Sequence, residues 1–147
     1  MLVLNFFTFL FFLVPLIFYA RTSEVFEFNK MVVTYGLTVL IISFWIIRMI
    51  TEKKIIFRRT ILDIPLLIFL LSQLISTLLS IEPRTSWLGY YSRFNGGLVS
   101  LVCYSLLYWA YVSNLDREDT KKIVKALIFS GLIVSVYGIL EHFGGSI

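Results

Sequence analysis

Residues 1–20 read MLVLNFFTFLFFLVPLIFYA, a stretch that is apolar apart from Asn5 and Thr8 and contains no charged side chain. As a helix rising about 1.5 Å per residue it would reach roughly 30 Å, the thickness of the hydrocarbon layer of a bilayer. A cleavable signal peptide is the alternative, but the stretch has no basic start, a longer apolar run than such peptides use, and no small-residue cleavage site. It therefore predicts a retained transmembrane helix, kinked in its second half by Pro15.

The composition of the whole chain points to the same environment. Of its 147 residues 59% are hydrophobic and 15% are charged, whereas soluble domains carry about a quarter charged residues. The net charge of +4 comes from basic residues in short gaps between apolar blocks, so we expect no nucleic-acid partner. Cys103 is the only cysteine, which excludes an intrachain disulfide and a multi-cysteine metal site. We expect neither a metal nor a soluble cofactor.

Further apolar blocks follow the first one, separated by polar connections. They predict an all-α, polytopic transmembrane bundle that forms a single domain over residues 1–147, with spans at about 1–20, 31–50, 61–81, 97–113 and 123–140. In the third span Asp63 and Pro65 fall in the first turn, where a carboxylate caps free amides and the missing N–H of proline costs little. We therefore expect that helix to begin at this point.

Basic residues are divided unevenly between alternate connections. Nine belong to the second and fourth connections: Arg48, Lys53, Lys54, Arg58, Arg59, Arg117, Lys121, Lys122 and Lys125. Four belong to the first and third: Arg21, Lys30, Arg84 and Arg93. Because cytoplasmic loops carry the excess of lysine and arginine, the nine should face the cytoplasm. This predicts a cytoplasmic amino terminus and an outward-facing third connection.

Three helix faces carry small or polar residues at helical spacing. They are Gln73, Ser76, Thr77 and Ser80 with Ser72 in the third block, Gly131, Ser135 and Gly138 in the fifth, and Tyr104, Tyr108 and Tyr111 in the fourth. Small residues allow helices to approach closely in a membrane, and the three tyrosines form a bulky face instead. Both kinds of face predict packing against protein. For the third block a polar cavity is the alternative, because Gln73 offers an amide within the membrane.

The third connection, SIEPRTSWLGYYSRFNGG at residues 80–97, combines cations with aromatics. In a helix Trp87, Tyr90, Tyr91 and Phe94 would share one face suited to the headgroup layer, and Arg84 and Arg93 would be held at the surface. The candidate ligand-binding residues are Arg84, Trp87, Tyr90 and Arg93. An interfacial anchor that touches lipid phosphates is one interpretation. Recognition of a lipid-linked phosphate or sugar is the other, since arginine binds phosphate oxygens and the glycines, Gly89, Gly96 and Gly97, would let backbone approach a ligand.

The run Ser80-x-x-Pro83-x-x-Ser86-Trp87-x-Gly89-x-x-x-Arg93-x-x-Gly96, followed by a tyrosine-rich helix, resembles the bacterial O-antigen ligase family. The resemblance extends over residues 62–144 and includes the Leu62-Asp63-Ile64-Pro65 helix start and the Glu141-His142-Phe143-Gly144 close. It implies a polytopic glycosyltransferase of the bacterial inner membrane, which moves a glycan from undecaprenyl pyrophosphate at the outer face onto lipid A core, protein or another acceptor.

The family's catalytic arginines and histidine lie mainly in outward loops of a later half that has no counterpart here. We therefore expect an amino-terminal portion that is inactive alone, with no catalytic residue, although Arg93 matches the family pattern and would help to hold the carrier pyrophosphate. Glu141 and His142 receive no role. The alternative is a small non-enzymatic membrane protein that packs as a subunit of a larger complex. A transporter fragment is disfavoured, because no span carries a buried charge pair.

Overall fold

The computed structural model describes residues 2–18 and 27–144, and within them the only regular structure is helical. The helices are α1 (Leu2–Leu16), α2 (Glu27–Glu52), α3 (Asp63–Leu78), α4 (Pro83–Leu88), α5 (Leu98–Asn114) and α6 (Arg117–His142). The predicted all-α class is confirmed for this part of the chain. Each predicted apolar block contains one helix, and α4 is an additional short helix in the connection between the third and fourth blocks.

Two of the described helices, α2 and α6, are both long and apolar enough to cross a membrane. Helices α1, α3 and α5 are apolar but have only 15, 16 and 17 residues. At 1.5 Å per residue they reach roughly 22–26 Å, less than the ~30 Å of a hydrocarbon core. Helix length therefore does not confirm the prediction of five spans.

The short helices end where the local sequence no longer favours a helix. Helix α1 stops at Leu16, directly after Pro15, so the predicted kink is replaced by a helix end. The last two residues of that predicted span, 19 and 20, lie outside the described part of the chain. After α3 the backbone leaves the helical conformation before Pro83, as the residue preceding a proline usually does, and Glu82 has φ −114° and ψ 77°.

Helix α3 begins at Asp63 as predicted, but the carboxylate does not cap the amides of its own helix. It accepts hydrogen bonds from the backbone N–H and the hydroxyl of Thr60, both at 2.8 Å. It also accepts one from the indole N–H of Trp109 at 3.1 Å. Asp63 therefore ties the preceding connection and the start of α3 to α5.

Helices α1, α2, α5 and α6 form the core of the bundle. Helix α1 packs along α6 and α2, α2 packs on α5, and α3 and α4 lie against α5. The core side chains are Val3, Phe7, Leu10, Leu37, Ile41, Trp45, Ala110, Leu115 and Ile123. The indole of Trp45 is buried and donates to the carbonyl of Ile56 at 3.0 Å, so this tryptophan faces protein.

Connections alternate between the two ends of the bundle. At one end the last turns of α2 and α5 meet, where Arg48 Nη1 donates to Asn114 Oδ1 at 3.1 Å, and the start of α1 lines the same cleft. At the other end Arg93 Nε lies 3.6 Å from Glu27 Oε2, which joins the 80–97 connection to the start of α2. The connection with exposed aromatics and the connections richest in lysine and arginine thus lie at opposite ends.

The predicted packing faces are only partly used within the described residues. In α3 Thr77 is buried and Gln73 is half-buried, whereas Ser76 on the same predicted face is exposed. In α6 Gly131 and Gly138 face open space. The glycine face in the second half of α6 is therefore exposed where packing was predicted.

Candidate functional site

The 80–97 connection begins with a tight turn that leads into α4. The hydroxyl of Ser80 accepts a hydrogen bond from the backbone N–H of Glu82 at 3.2 Å and another from the hydroxyl of Ser86 at 2.6 Å. Pro83 occupies the first turn of α4, where its fixed φ suits a helix and no N–H is needed. Serine and proline together set the direction in which the connection leaves α3.

Gly89 and Gly97 allow the two halves of the connection to approach each other closely. Gly89 ends α4 with φ +84°, and a Cβ atom at this position would overlap the carbonyl group of Asn95. A Cβ atom at Gly97 would overlap the backbone of Trp87 and Gly89. The N–H of Tyr90 donates to the Asn95 carbonyl oxygen at 3.3 Å across the closed loop. At Gly89 and Gly97 the close approach that the ligand-recognition interpretation assigned to a ligand is therefore an approach between two parts of the chain, whereas Gly96 has open space beside it.

The aromatic residues do not form the single helical face that their spacing predicts. Helix α4 ends at Leu88, so Trp87 lies on the helix while the other three aromatics follow it in a turn. Trp87, Tyr90 and Tyr91 are 43%, 71% and 75% exposed. Phe94 instead turns inward with φ +53° and meets the ring of Phe28 edge to face at 5.4 Å. Three rings of the predicted four thus face outward.

Both arginines of the connection already have a neighbour. The guanidinium carbon of Arg84 lies 4.7 Å from the centre of the Tyr91 ring, in a cation–π contact. Arg93 Nε lies 3.6 Å from Glu27 Oε2, and both side chains of this pair are about half exposed. An ion pair at that exposure contributes at most about 1 kcal/mol. The structure therefore places all four candidate residues on one connection, with Arg84, Trp87, Tyr90 and Arg93 exposed.

Side chains of α2 and α5 form hydrogen bonds with the 80–97 connection. The phenol of Tyr35 donates to the carbonyl oxygen of Phe94 at 2.6 Å. Asn95 Oδ1 accepts from the N–H of Gly96 at 2.8 Å and from the phenol of Tyr104 at 3.3 Å. The hydroxyl of Ser100 accepts from the same Gly96 N–H at 3.1 Å. These bonds hold residues 94–96 of the connection against the bundle.

Sequence reasoning missed the part that α2 contributes to this region. Glu27, Phe28 and Tyr35 all contact the connection, yet the start of the second block was interpreted only as a polar approach to a span. The predicted topology already placed the first and third connections on one side. A search for an acid and aromatics near that side would have found these residues.

The chemistry available at this end of the bundle is recognition of anions and flat apolar surfaces. Arginine N–H groups bind phosphate or carboxylate oxygens, and exposed aromatic rings stack on sugars or lie among lipid headgroups. Among the described residues, no three His, Cys, Asp or Glu side chains lie close enough to share a metal ion. His142, at the end of α6, contacts the ring of Phe143 at 5.5 Å and belongs to no such group among the described residues.

Comparison of the chain with protein-family models, with curated proteins and with solved structures finds no match. The resemblance to O-antigen ligases therefore stands on the residues quoted for it, and the function is argued from them and from the geometry of the 80–97 connection.

Proposed function

We propose that this chain forms a membrane portion of an O-antigen ligase-like glycosyltransferase, in which the 80–97 connection binds the carrier end of an undecaprenyl pyrophosphate-linked glycan. The observation that carries the proposal is the closed loop that carries two arginines and exposed aromatic rings at one end of the bundle. The chain contributes binding and not transfer chemistry. Its remaining partners are the bilayer and the other helices of the full-length enzyme.

The proposed setting is the bacterial inner membrane, with the chain crossing it five times and the amino terminus in the cytoplasm. The alternation of the connections between the two ends of the bundle supports this arrangement. Flanking apolar residues such as Ile61, Leu79 and Ile81, each more than three-quarters exposed, extend the short helix α3 toward the full hydrocarbon thickness. The excess of basic residues at the end opposite the 80–97 connection supports the orientation.

Each arginine suits a pyrophosphate in a different way. A guanidinium that lies over an aromatic ring keeps its N–H groups at its edge, so Arg84 on Tyr91 remains able to donate to phosphate oxygens. Arg93 is held by the Glu27 carboxylate through a half-exposed and therefore weak pair. A pyrophosphate carries more charge than a carboxylate and would displace Glu27 from Arg93. The first sugar would then stack on Trp87 or Tyr90.

Binding of a pyrophosphate lipid to the purified chain in lipid nanodiscs tests this proposal. Loss of a charge-assisted contact costs about 1.5–3 kcal/mol, so Arg84→Ala and Arg93→Ala should each weaken binding about tenfold or more. Arg58→Ala, which removes an exposed arginine at the opposite end of the bundle, is the matched control and should leave binding unchanged. Equal losses in all three variants would mean that binding follows total charge, and the site would be abandoned.

Transfer activity provides a second test in a full-length enzyme that contains this segment. Arg93→Ala should reduce glycan transfer, since a weakly held carrier is less often positioned for reaction. Unchanged transfer would remove Arg93 from the site. The same variant should still reach the membrane at the normal level, because Arg93 is half exposed and its pair with Glu27 contributes little to folding.

The second candidate is a small non-enzymatic membrane protein that packs as a subunit of a larger complex. The observation that favours it is the second half of α6, where Gly131 and Gly138 face open space and residues 131–144 are exposed throughout. Small residues on such a face allow another helix to approach closely. Two results would favour this candidate over the first: the unaltered chain does not bind a pyrophosphate lipid, and a partner that co-purifies with it is lost in Gly131→Leu.

A further inference from the structure

A long apolar groove runs along the bundle between α1 and α5, with α2 as its floor. Its volume is about 680 Å³, and its lining is Phe7, Leu10, Phe11, Val14, Pro15, Lys30, Met31, Thr34, Tyr104, Leu107, Tyr108, Tyr111 and Val112. Phe7 and Leu10 of α1 and Met31 of α2 are buried, whereas most of the other lining residues are half exposed. The groove therefore offers a continuous apolar channel on the side of the bundle.

The length of this groove along α5 matches the hydrocarbon thickness of one leaflet of a bilayer. It runs along α5 from Tyr104 to Val112, which at 1.5 Å per residue is roughly 12 Å. Half of a ~30 Å hydrocarbon core is about 15 Å. At the far end the groove is limited by Phe7 and Tyr111, whose rings meet edge to face at 5.4 Å. A single hydrocarbon chain from the leaflet on the Lys30 side would fill it.

A second apolar groove opens on the other side of the α1 end. Its volume is about 430 Å³, and its lining is Pro15, Leu16, Ile17, Phe18, Lys30, Ile133, Val134 and Tyr137. Pro15 and Lys30 line both grooves. Lys30 is half-buried, and it takes part in none of the ion pairs formed by the described residues. Two apolar grooves of unequal volume thus meet at one lysine.

We infer that these grooves bind one anionic diacyl phospholipid, with its phosphate at Lys30 and its two acyl chains in the two grooves. The inference rests on the membrane setting of the proposed function but not on its glycan ligand. A diacyl phospholipid has one phosphate and two chains, as the shared lysine and the paired grooves require, whereas an isoprenoid carrier has a single chain. A lysine between apolar walls at headgroup level favours a lipid of net negative charge.

Photo-crosslinking tests this site directly. The purified chain is placed in nanodiscs of phosphatidylcholine that contain a small fraction of phosphatidylglycerol with a photoreactive acyl chain, and the crosslinked peptides are mapped by mass spectrometry. Crosslinks should concentrate on residues 7–18, 104–112 and 133–137, which line the two grooves. Labelling of the exposed face of α3 as strong as that of the groove residues would overturn the site while leaving membrane embedding intact, and no crosslinks to any helix would overturn both.

Two variants separate the phosphate contact from the groove. Lys30→Ala should reduce the phosphatidylglycerol crosslinks about fivefold, because one basic residue near an anionic surface contributes about 1 kcal/mol to binding. Lys125→Ala should leave the crosslinks unchanged. Val14→Trp should fill the long groove and remove the crosslinks on residues 104–112, while Val39→Trp, on an exposed face of α2, should keep them.

Two variants separate the grooves from the proposed carrier site, and a competition experiment identifies the molecule that occupies the grooves. Arg93→Ala should leave the crosslinks unchanged, because Arg93 belongs to the proposed carrier site, and Lys30→Ala should leave pyrophosphate-lipid binding unchanged. Displacement of the crosslinks by a polyprenyl phosphate, but not by unlabelled phosphatidylglycerol, would assign the grooves to an isoprenoid and overturn the inference.

Discussion

The phenol of Tyr35 donates a 2.6 Å hydrogen bond to the carbonyl oxygen of Phe94, which lies 59 positions later in the chain. This bond joins the first third of α2 to a residue with φ +53°, a backbone conformation that residues other than glycine rarely adopt. The ring of Phe94 also packs on Phe28 of the same helix. The geometry of the 80–97 connection is therefore set by α2 as much as by the connection itself.

Removal of this hydrogen bond should loosen the connection. Tyr35→Phe keeps the ring but leaves the Phe94 carbonyl without its donor, so the connection should lose about 1 kcal/mol of stability. Its local opening, measured as trypsin cleavage after Arg93 in detergent, should become about fivefold faster. Tyr137→Phe removes a hydroxyl from α6 and should not change the cleavage rate. Equal rates in the two variants would show that the bond does not restrain the connection.

The two glycines that close the connection should tolerate no side chain. Gly89→Ala combines a positive φ with an overlap on the Asn95 carbonyl, so it should lower the free energy of unfolding by at least about 2 kcal/mol. Gly97→Ala should act in the same direction. Gly36→Ala is the control, because Gly36 is exposed within α2 with nothing near it, and it should stabilise the protein by about 0.5–1 kcal/mol. Thermal unfolding followed by circular dichroism measures all three, and an unaffected Gly89→Ala would contradict the closed loop.

The positions of the five longer helices could be predicted from the sequence because each contains an apolar block bounded by charge, proline or glycine, whereas the position of α4 could not. The start of α3 at Asp63 is an example, since an acid followed by Pro65 marks a helix start by local chemistry alone. The partners of Asp63 could not be predicted in the same way. They include Trp109, which lies 46 positions away and meets Asp63 only through the packing of α3 on α5.

The exposure of Trp87, Tyr90 and Tyr91 could be predicted from the sequence, but the geometry of the 80–97 connection could not. The spacing of Trp87, Tyr90, Tyr91 and Phe94 predicts one helical face, yet Gly89 ends the helix because its φ of +84° lets the chain double back toward Asn95. Helical spacing carries no information about such a closure. The contribution of Glu27 was hidden for another reason, since an ion pair between distant connections depends on the order of helices in the bundle.

The carboxylate of Glu27 should compete with a bound phosphate for Arg93. Their half-exposed pair contributes at most about 1 kcal/mol, so Glu27→Gln should strengthen binding of a pyrophosphate lipid by up to about fivefold. Glu118→Gln, which breaks the exposed pair with Lys121 in the first turn of α6, should have no effect. In an Arg93→Ala background Glu27→Gln should also have no effect. A gain that persists without Arg93 would reflect net charge alone.

The carboxylate of Asp63 should be needed for the docking of α3 on α5. Asp63→Asn replaces an anionic acceptor shared by Thr60 and Trp109 with a neutral amide, one side of which is a donor. We expect a lower melting temperature and a shifted fluorescence of Trp109, measured in a variant whose other tryptophans are replaced by phenylalanine. Asp119→Asn, which affects only the pair with Lys122, should leave both nearly unchanged. Identical behaviour of the two variants would mean that Asp63 does not hold α3.

The two ends of the bundle should lie on opposite sides of the membrane. With Cys103 replaced by alanine, a cysteine at Thr85 should react in intact cells with a maleimide that does not cross membranes, because Thr85 is exposed on α4. A cysteine at Thr51, exposed at the end of α2, should react only after the membrane is permeabilised, and so should one at Lys121 at the start of α6. Since all three side chains are exposed, a difference in labelling reports the side of the membrane and not burial. The reverse pattern would invert the orientation, and labelling of Thr85 and Thr51 from the same side would show that α3 does not cross.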